Sequence, residues 1–564
     1  MRRIEVTSFA LLFLAACHRD GVDSAVPSCP AGAALLAPYD AVTVSSAQLD
    51  SCLTLPGNGA TYLVVGQFAS VGDPTNVVNW QINTSVAGGS AAATSVASGS
   101  AAAASRPLHL TGDNPIRREF ETMLRGIERT IAPRARAEAI AARRSPVRLS
   151  AAIAPPPALG TRRDFKVVAA LDGSSFTSAT ARLVYAGDHV LLYVDTIGQG
   201  FSDAQYRSLG ALFDRDLYAI DIRAFGSESD VDQNGRVIAL FTPKINALVS
   251  TSNCAFAGYV TGFFYGTDLL VSDPNSNKGE IFFSYVPDSA GTYSCPHTAA
   301  SVLQVVPGTF LHELQHMISF NQHVLVRGGA QEDVWLNEGL GQIAEELGSE
   351  YYEAKYPPPS GRSTTTQLFP DSAGPFIQPQ LLDAYVYLNT TRAHSVTSYN
   401  GGGSLEERGA TWLFLRWLAS QKGESIFGRL VQTSKTGIAN IQAQAGESFG
   451  ALFGDFSTAL EVDSIPGVPR SGVPARFRFG SRNLRALMAR EATIETFPNP
   501  WPLPVYSLGI GGALSSNMIP GTMVHASITP PAGGTNVSLG FTGPQSAPFP
   551  VALGAQVTIF RMPP

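Results

Sequence analysis

Two stretches with helical apolar spacing stand close together in the chain, "TFLHELQHMISF" at 309–320 and "VWLNEGLGQIAEEL" at 334–347. On a helix, His312 and His316 fall one turn apart on one face, so both imidazoles reach a single ion. That ion needs a neutral ring nitrogen at about 2.0–2.1 Å from each. Glu313 is turned by about 100° from His312; there it does not ligate with them but stands beside a water that the ion polarises. HExxH is therefore two ligands and a base. The competing reading is an ordinary core helix, since Phe310, Leu311, Leu314, Met317 and Ile318 form an apolar face. The two readings are compatible, because a helix that carries ligands must also be packed. The second stretch places Leu336, Leu340, Ile343, Ala344 and Leu347 on one face, so it too is a packed helix.

A catalytic zinc requires a third protein ligand and an open fourth position. The pattern HExxHxxGxxH demands Gly at 319 and His at 322, where this chain has Ser319 and Gln322, with His323 one residue out of register. The other solution takes a glutamate from a following helix, and Glu338 comes 22 residues after His316. Glu332, Asp333, Glu345 and Glu346 compete for that role. Glu345 lies near the Glu338 face and suits an outer hydrogen bond to a ligand imidazole, whereas Glu346 reads as a solvated acid. Four residues after Glu338, where thermolysin-like enzymes carry an acid, stands Gln342.

"WLNEG" resembles the third-ligand motif of gluzincin aminopeptidases. The whole block from "TFLHELQHMISFNQ" to "WLNEGLGQIAEEL" looks still more like the hyicolysin-type zinc metallopeptidases of the gluzincin group. "FGSESDVDQNGRVIALFT" (225–242) and "ATWLFLRWLA" (410–419) resemble further blocks of that group, and the likeness covers residues 162–450. It implies a Zn2+ cofactor on His312, His316 and Glu338, with Glu313 as general base, and a metalloendopeptidase acting on protein or peptide substrates. In that chemistry zinc brings its water toward a pKa of about 7. Glu313 takes the proton as the water attacks a peptide carbonyl and returns it to the leaving amine. An aminopeptidase of the gluzincin type is the second reading, set back by the lack of a GAMEN-like segment for a free amino terminus. A non-catalytic surface adhesin or binding lipoprotein is the third, and the intact His312, Glu313, His316 and Glu338 set argues against it.

Gluzincin aminopeptidases place an oxyanion-binding tyrosine three residues before a glycine in YxxG. The counterpart here, "EERG", has Glu406 in that place. Tyr385, Tyr387, Tyr399 and His394 remain as candidate donors, each with plain packing as the simpler account. "DVDQNG" (230–235) matches the front half of a calcium loop through Asp230, Asp232 and Asn234, but Phe241 stands where an EF-hand needs glutamate. An Asx turn is the alternative to a Ca2+ site completed from elsewhere. "EIFFSY" (280–285) reads as an edge strand to which an extended substrate pairs, or equally as an interior one.

At 564 residues the chain exceeds one hydrophobic core. With 39 basic against 45 acidic side chains it has no basic stripe for a phosphate backbone, which excludes nucleic acid as a partner. The expected architecture is multidomain, an α+β gluzincin-like metallopeptidase domain flanked by small β-rich domains. Residues 1–17 form an export signal ending in Leu14-Ala15-Ala16-Cys17, which resembles a bacterial lipobox with Cys17 as the lipidated residue. That implies an exported protein of the bacterial cell envelope, held to the membrane by its lipid alone. An N-terminal β-rich domain follows at 18–84, an Ala/Ser/Gly linker at 85–106, and an Arg-rich helical segment at 107–161. The last reads as a solvated helix or a removable propeptide. The metallopeptidase domain spans 162–465 and a C-terminal β-rich domain 466–564. Cys29 and Cys52, and Cys254 and Cys295, form two local pairs suited to disulfides in an oxidising compartment.

Overall fold

The computed structural model describes residues 36–49, 54–86, 114–144, 155–492 (apart from 199, 358–359, 361 and 363–368), 499 and 501–564. The export signal with Cys17, most of the 85–106 linker, and Cys29 and Cys52 lie outside the described residues. Near the N terminus run β1 (Ala41–Ser45), β2 (Thr54–Leu55), β3 (Tyr62–Phe68) and β4 (Val78–Val86). The central region holds β5 (Arg162–Val168), β6 (Phe176–Ala186), β7 (Val190–Asp195), β8 (Val237–Phe241), β9 (Gly262–Phe264) and β10 (Ile281–Ser284). The C-terminal part adds β11 (Val505–Ser507), β12 (Ala513–Met518), β13 (Met523–Ile528), β14 (Val537–Thr542) and β15 (Ala555–Arg561).

The first four and last five strands interleave. One sheet has the order β1-β15-β3-β13-β11 and the facing one β12-β4-β14-β2. The expectation of two separate β-rich domains, at 18–84 and 466–564, is corrected by this pairing: they are halves of one sandwich. Strand β3 shows why the halves need each other. Tyr62, Val64 and Phe68 point into the sandwich core, while Leu63 and Val65 point into the core of the central region. This is the two-residue alternation of a sheet buried on both faces. The sandwich is fastened to the rest by Val396 N–H to Gly521 O (3.0 Å) and Met523 N–H to Thr391 O (3.3 Å).

The central sheet runs β5-β6-β7-β8-β10-β9, with β7, β8 and β10 mutually parallel. Its inner strands "VIALF" and "IFFS" are buried at every residue. Strand β10 pairs with β8 on one side and β9 on the other. The "EIFFSY" segment is thus interior, and β9 is the edge. Six helices carry the rest of the argument: α1 (Pro115–Arg144), α2 (Ala299–Phe320), α3 (Val334–Lys355), α4 (Gly374–Leu388), α5 (Leu405–Lys422) and α6 (Phe449–Val462). Thr298 caps α2 by accepting from Ser301 N–H, and Ser404 opens α5 with a reciprocal capping box to Glu407. Mixed helices and sheets in more than one unit make this a multidomain α+β fold. Among the described residues no helix is long and apolar enough to cross a membrane.

Cys254 and Cys295 are disulfide-bonded, their Cα atoms 5.7 Å apart, tying the helix Thr251–Ala257 to the segment that leads into α2.

Candidate metal centre

Helices α2 and α3 pack side by side, and glycine sets how closely. A Cβ on Gly341 would stand 2.8–2.9 Å from the His312 ring, and one on Gly339 would collide with Thr411 of α5. Only with hydrogen at both positions does α3 slide its carboxylate under the two imidazoles. One ligand atom each from His312, His316 and Glu338 then converges within 4.8 Å. His312 Nε2 lies 3.2 Å from Glu338 Oε2, and His316 Nε2 lies 3.5 Å from Glu338 Oε1. A tetrahedral ion with bonds of about 2.0–2.1 Å holds its ligand atoms about 3.3–3.4 Å apart, so this trio fits zinc. Glu338 Oε1 is buried without a hydrogen-bond partner among the described residues. An orphaned carboxylate oxygen in a buried pocket is what a cation satisfies.

The electrostatics agree with the ligand roles. Burial lowers His316 to about 3, so it is neutral, as a ligand must be. Burial opposes charge on His312 too, but the bonds to Glu338 and Glu345 outweigh it and raise the ring to about 10. A bound metal cation would compete with the proton on that ring for the same carboxylates. Burial alone would raise Glu338; the Arg408 guanidinium and the bond to the His312 ring hold it well below the usual carboxylate range. Glu313 is pushed up by burial to about 7, and its Oε2 accepts from Phe264 N–H of the edge strand β9 at 3.0 Å.

Around this set, Glu345 Oε1 meets His312 Nδ1 at 2.8 Å while its Oε2 accepts from Gln380 Nε2 at 2.9 Å. Gln342 turns away, donating to Gln380 Oε1 (3.0 Å) and Asp383 Oδ2 (3.1 Å). Glu346 is no solvated acid: it is buried and bonded to Trp412 Nε1 (3.0 Å) and Arg482 Nε (2.6 Å). His323 lies 3.6 Å from Glu332, apart from the trio.

The four oxyanion-donor candidates separate. Tyr387 Oη abuts Met523 Sδ (4.0 Å) and Tyr385 Oη accepts from Asn499 N–H (3.2 Å), both toward C-terminal segments. His394 Nδ1 faces Ser404 Oγ at 3.4 Å. Tyr399 is half-buried, in the field of Arg408 and Glu338. Of the calcium-loop residues, Asp230 and Asp232 converge with Glu280 within 4.8 Å. Asn234 is bent back instead, donating to Asp232 Oδ2 (2.6 Å) and accepting from Arg236 N–H (2.5 Å).

Three residues at the site are not legible from the sequence motifs. Arg408 Nη1 lies 3.3 Å from Glu338 Oε2, one position after the "EE" on which the missing tyrosine draws attention. Glu121 and Arg125 come from α1: Glu121 pairs with Arg408, and Arg125 Nε stands 3.8 Å from Glu338 Oε1. Charges at 121, 125 and 128 share one helical stripe beside Phe120 and Leu124. That stripe is the available signal, and a solvated helix would not bury it.

A histidine pair and a glutamate on two packed helices, with a buried carboxylate beside them, define a candidate metal centre. The comparisons with known proteins point the same way. The chain is 25% identical over 302 residues to the neutral metalloprotease ShpI of Staphylococcus hyicus. The match takes in 51% of this chain and 60% of that protein, so it spans about three fifths of the relative. The chain matches no protein-family model.

Proposed function

We propose that the chain is a zinc-dependent metalloendopeptidase of the hyicolysin type, cutting peptide bonds in protein substrates. The observation that carries the reading is the convergence of His312, His316 and Glu338 within 4.8 Å, with Glu313 next in the chain to the first ligand. The likeness to ShpI supports it.

When bound, zinc would supply an activated water and polarise the substrate carbonyl. Glu313 does the proton work. Burial raises it to about 7, near the optimum for a group that both accepts and returns a proton at neutral pH. Its bond from Phe264 N–H fixes one oxygen on β9, leaving the other to receive the proton of the attacking water. Glu313 then hands that proton to the nitrogen of the leaving amine. Glu345 holds the His312 ring by Nδ1, so that Nε2 faces Glu338. Tyr399 is our choice for the group that steadies the carbonyl oxygen as it becomes negative, because of the four it is the one in the field of Arg408 and the ligand Glu338. On the N-terminal sequence alone, we place the protein in the cell envelope, anchored through Cys17.

The test is metal content and casein hydrolysis for the wild type and Glu313→Gln, each with α1 in place and with α1 cut free by a specific protease. One zinc per chain in both proteins and hydrolysis by the wild type alone is the expected result. A zinc-free wild type, or equal hydrolysis by the two proteins once α1 is cut free, overturns the reading.

A further inference from the structure

We propose that α1 is an inhibitory segment seated in the substrate cleft, and that this conformation is the latent form of the enzyme. The inference rests on the hydrolytic reading of the metal centre and concerns how that centre is kept shut.

His312, Glu313, His316 and Glu338 are each no more than 3% exposed. A peptidase whose base and ligands are sealed has no route for a peptide to its reacting atoms. The seal on one side is α1. Phe120 packs edge-on against Phe263 of β9, with ring centroids 5.0 Å apart. Asn114, just before the helix, donates to Tyr259 O at 2.7 Å. A Cβ on Gly266, two residues after β9, would come within 2.8 Å of Glu128 Cγ. The helix is thus fitted to the edge strand that bonds Glu313, which is where an extended substrate would pair.

From this seat α1 sends charge to the centre. Arg125 is 2% exposed and stands between Glu128 (3.1 Å) and Glu338 (3.8 Å). Glu121 forms a buried pair with Arg408, whose other nitrogen bonds Glu338. Two ion pairs of opposite polarity therefore join α1 to the site. Buried pairs of this kind add little net stability, because the cost of desolvation offsets their attraction. Farther along, the contacts are polar: Arg134 with Asp273 (2.9 Å), Arg136 with Gly328 O (2.7 Å) and Gln331 with Glu128 (2.7 Å). The helix also buries Ile116, Phe120, Leu124, Ala132 and Ala135 against the central region. Its seat thus combines an apolar stripe with hydrogen-bonded and charged contacts, as interfaces between separable parts do.

The test uses the full zinc-loaded chain, with specific protease sites inserted on both sides of α1, and the uncut variant Glu121→Ala/Arg125→Ala. Zinc content, stripping of zinc by 1,10-phenanthroline, affinity for a peptide hydroxamate and casein hydrolysis are measured before and after cutting. All forms should hold one zinc. The cut chain and the double variant should lose it at least tenfold faster, bind the hydroxamate at least tenfold more tightly, and hydrolyse casein faster. A synthetic peptide spanning 115–144 should reverse these changes in the cut chain, which guards against a variant that merely misfolds. Equal stripping and equal hydroxamate affinity in cut and uncut chains overturn latency while leaving the peptidase reading intact. Zinc absent from every form overturns the peptidase reading first, and latency with it.

Discussion

Glu345 Oε1 lies 2.8 Å from His312 Nδ1 and comes from the same helix as Glu338, two turns farther on. One helix therefore supplies both a ligand and the group that orients another ligand. Glu345→Gln keeps the shape but removes the charge that makes the imidazole a strong donor. Zinc affinity should fall by about 10–100-fold, read by competition with a chromogenic chelator. Unchanged affinity would show that Glu345 is only packed there.

Gly341→Ala tests how tightly the two helices must approach. In a helix interior, alanine is favoured over glycine by about 1 kcal/mol. Here its methyl would press on the His312 ring at 2.8 Å. The expected outcome is at least tenfold weaker zinc binding with little loss of thermal stability, by calorimetry beside the chelator titration. Full affinity would mean that α3 shifts freely.

Acid should destabilise the fold through two buried histidines outside the metal trio. Burial lowers both His525 and His323 to about 4. Each is depressed below its unfolded value near 6.5, so the unfolded chain binds the proton first. Their contribution is complete above pH 6.5 and is lost as pH falls toward 4, each at about 1.4 kcal/mol per pH unit. His525 Nε2–H donates to Ser457 O at 2.8 Å. Replacing His525 by Gln should flatten the fall in Tm between pH 6.5 and 4.5; an unchanged slope would assign it to carboxylates instead.

Deleting residues 499–564 should unfold the N-terminal strands rather than leave a small stable domain. Strand β3 would lose both neighbours, β13 and β15, and expose the face that carries Tyr62, Val64 and Phe68. Hydrogen exchange of residues 62–68 is the measurement. Protection retained in the truncated chain would contradict it.

The helices at the centre are legible in the sequence because their signal is local. His312, Glu313 and His316 share one turn and an apolar background, and Glu338 sits in a short motif on the next helix. The strands are legible one by one for the same reason. Their partners are not, since period-two alternation names a face and never a neighbour. That is why one sandwich reads as two domains, and why β10 reads equally as an edge. Arg408 and Arg125 stay hidden on another ground: arginine on a helix is ordinarily solvated, and only the approach of Glu338 and Glu121 makes burial worthwhile. Glu346, a solvated acid by its place in the sequence, is buried because Arg482 and Trp412 reach it from segments remote in the chain.

Strand β15 lies between β1 and β3, and Gln67 Nε2 donates to Thr558 Oγ1 at 3.0 Å across 491 positions of sequence. During synthesis at about 5–20 residues per second, β3 would leave the ribosome roughly 25–100 s before this partner exists. For that interval β1 and β3 have a gap where their shared neighbour belongs, and unpaired strand edges invite wrong partners. The sandwich can neither form early nor serve as a template for the central region. Its closure has to wait for β15, which pairs with both β1 and β3.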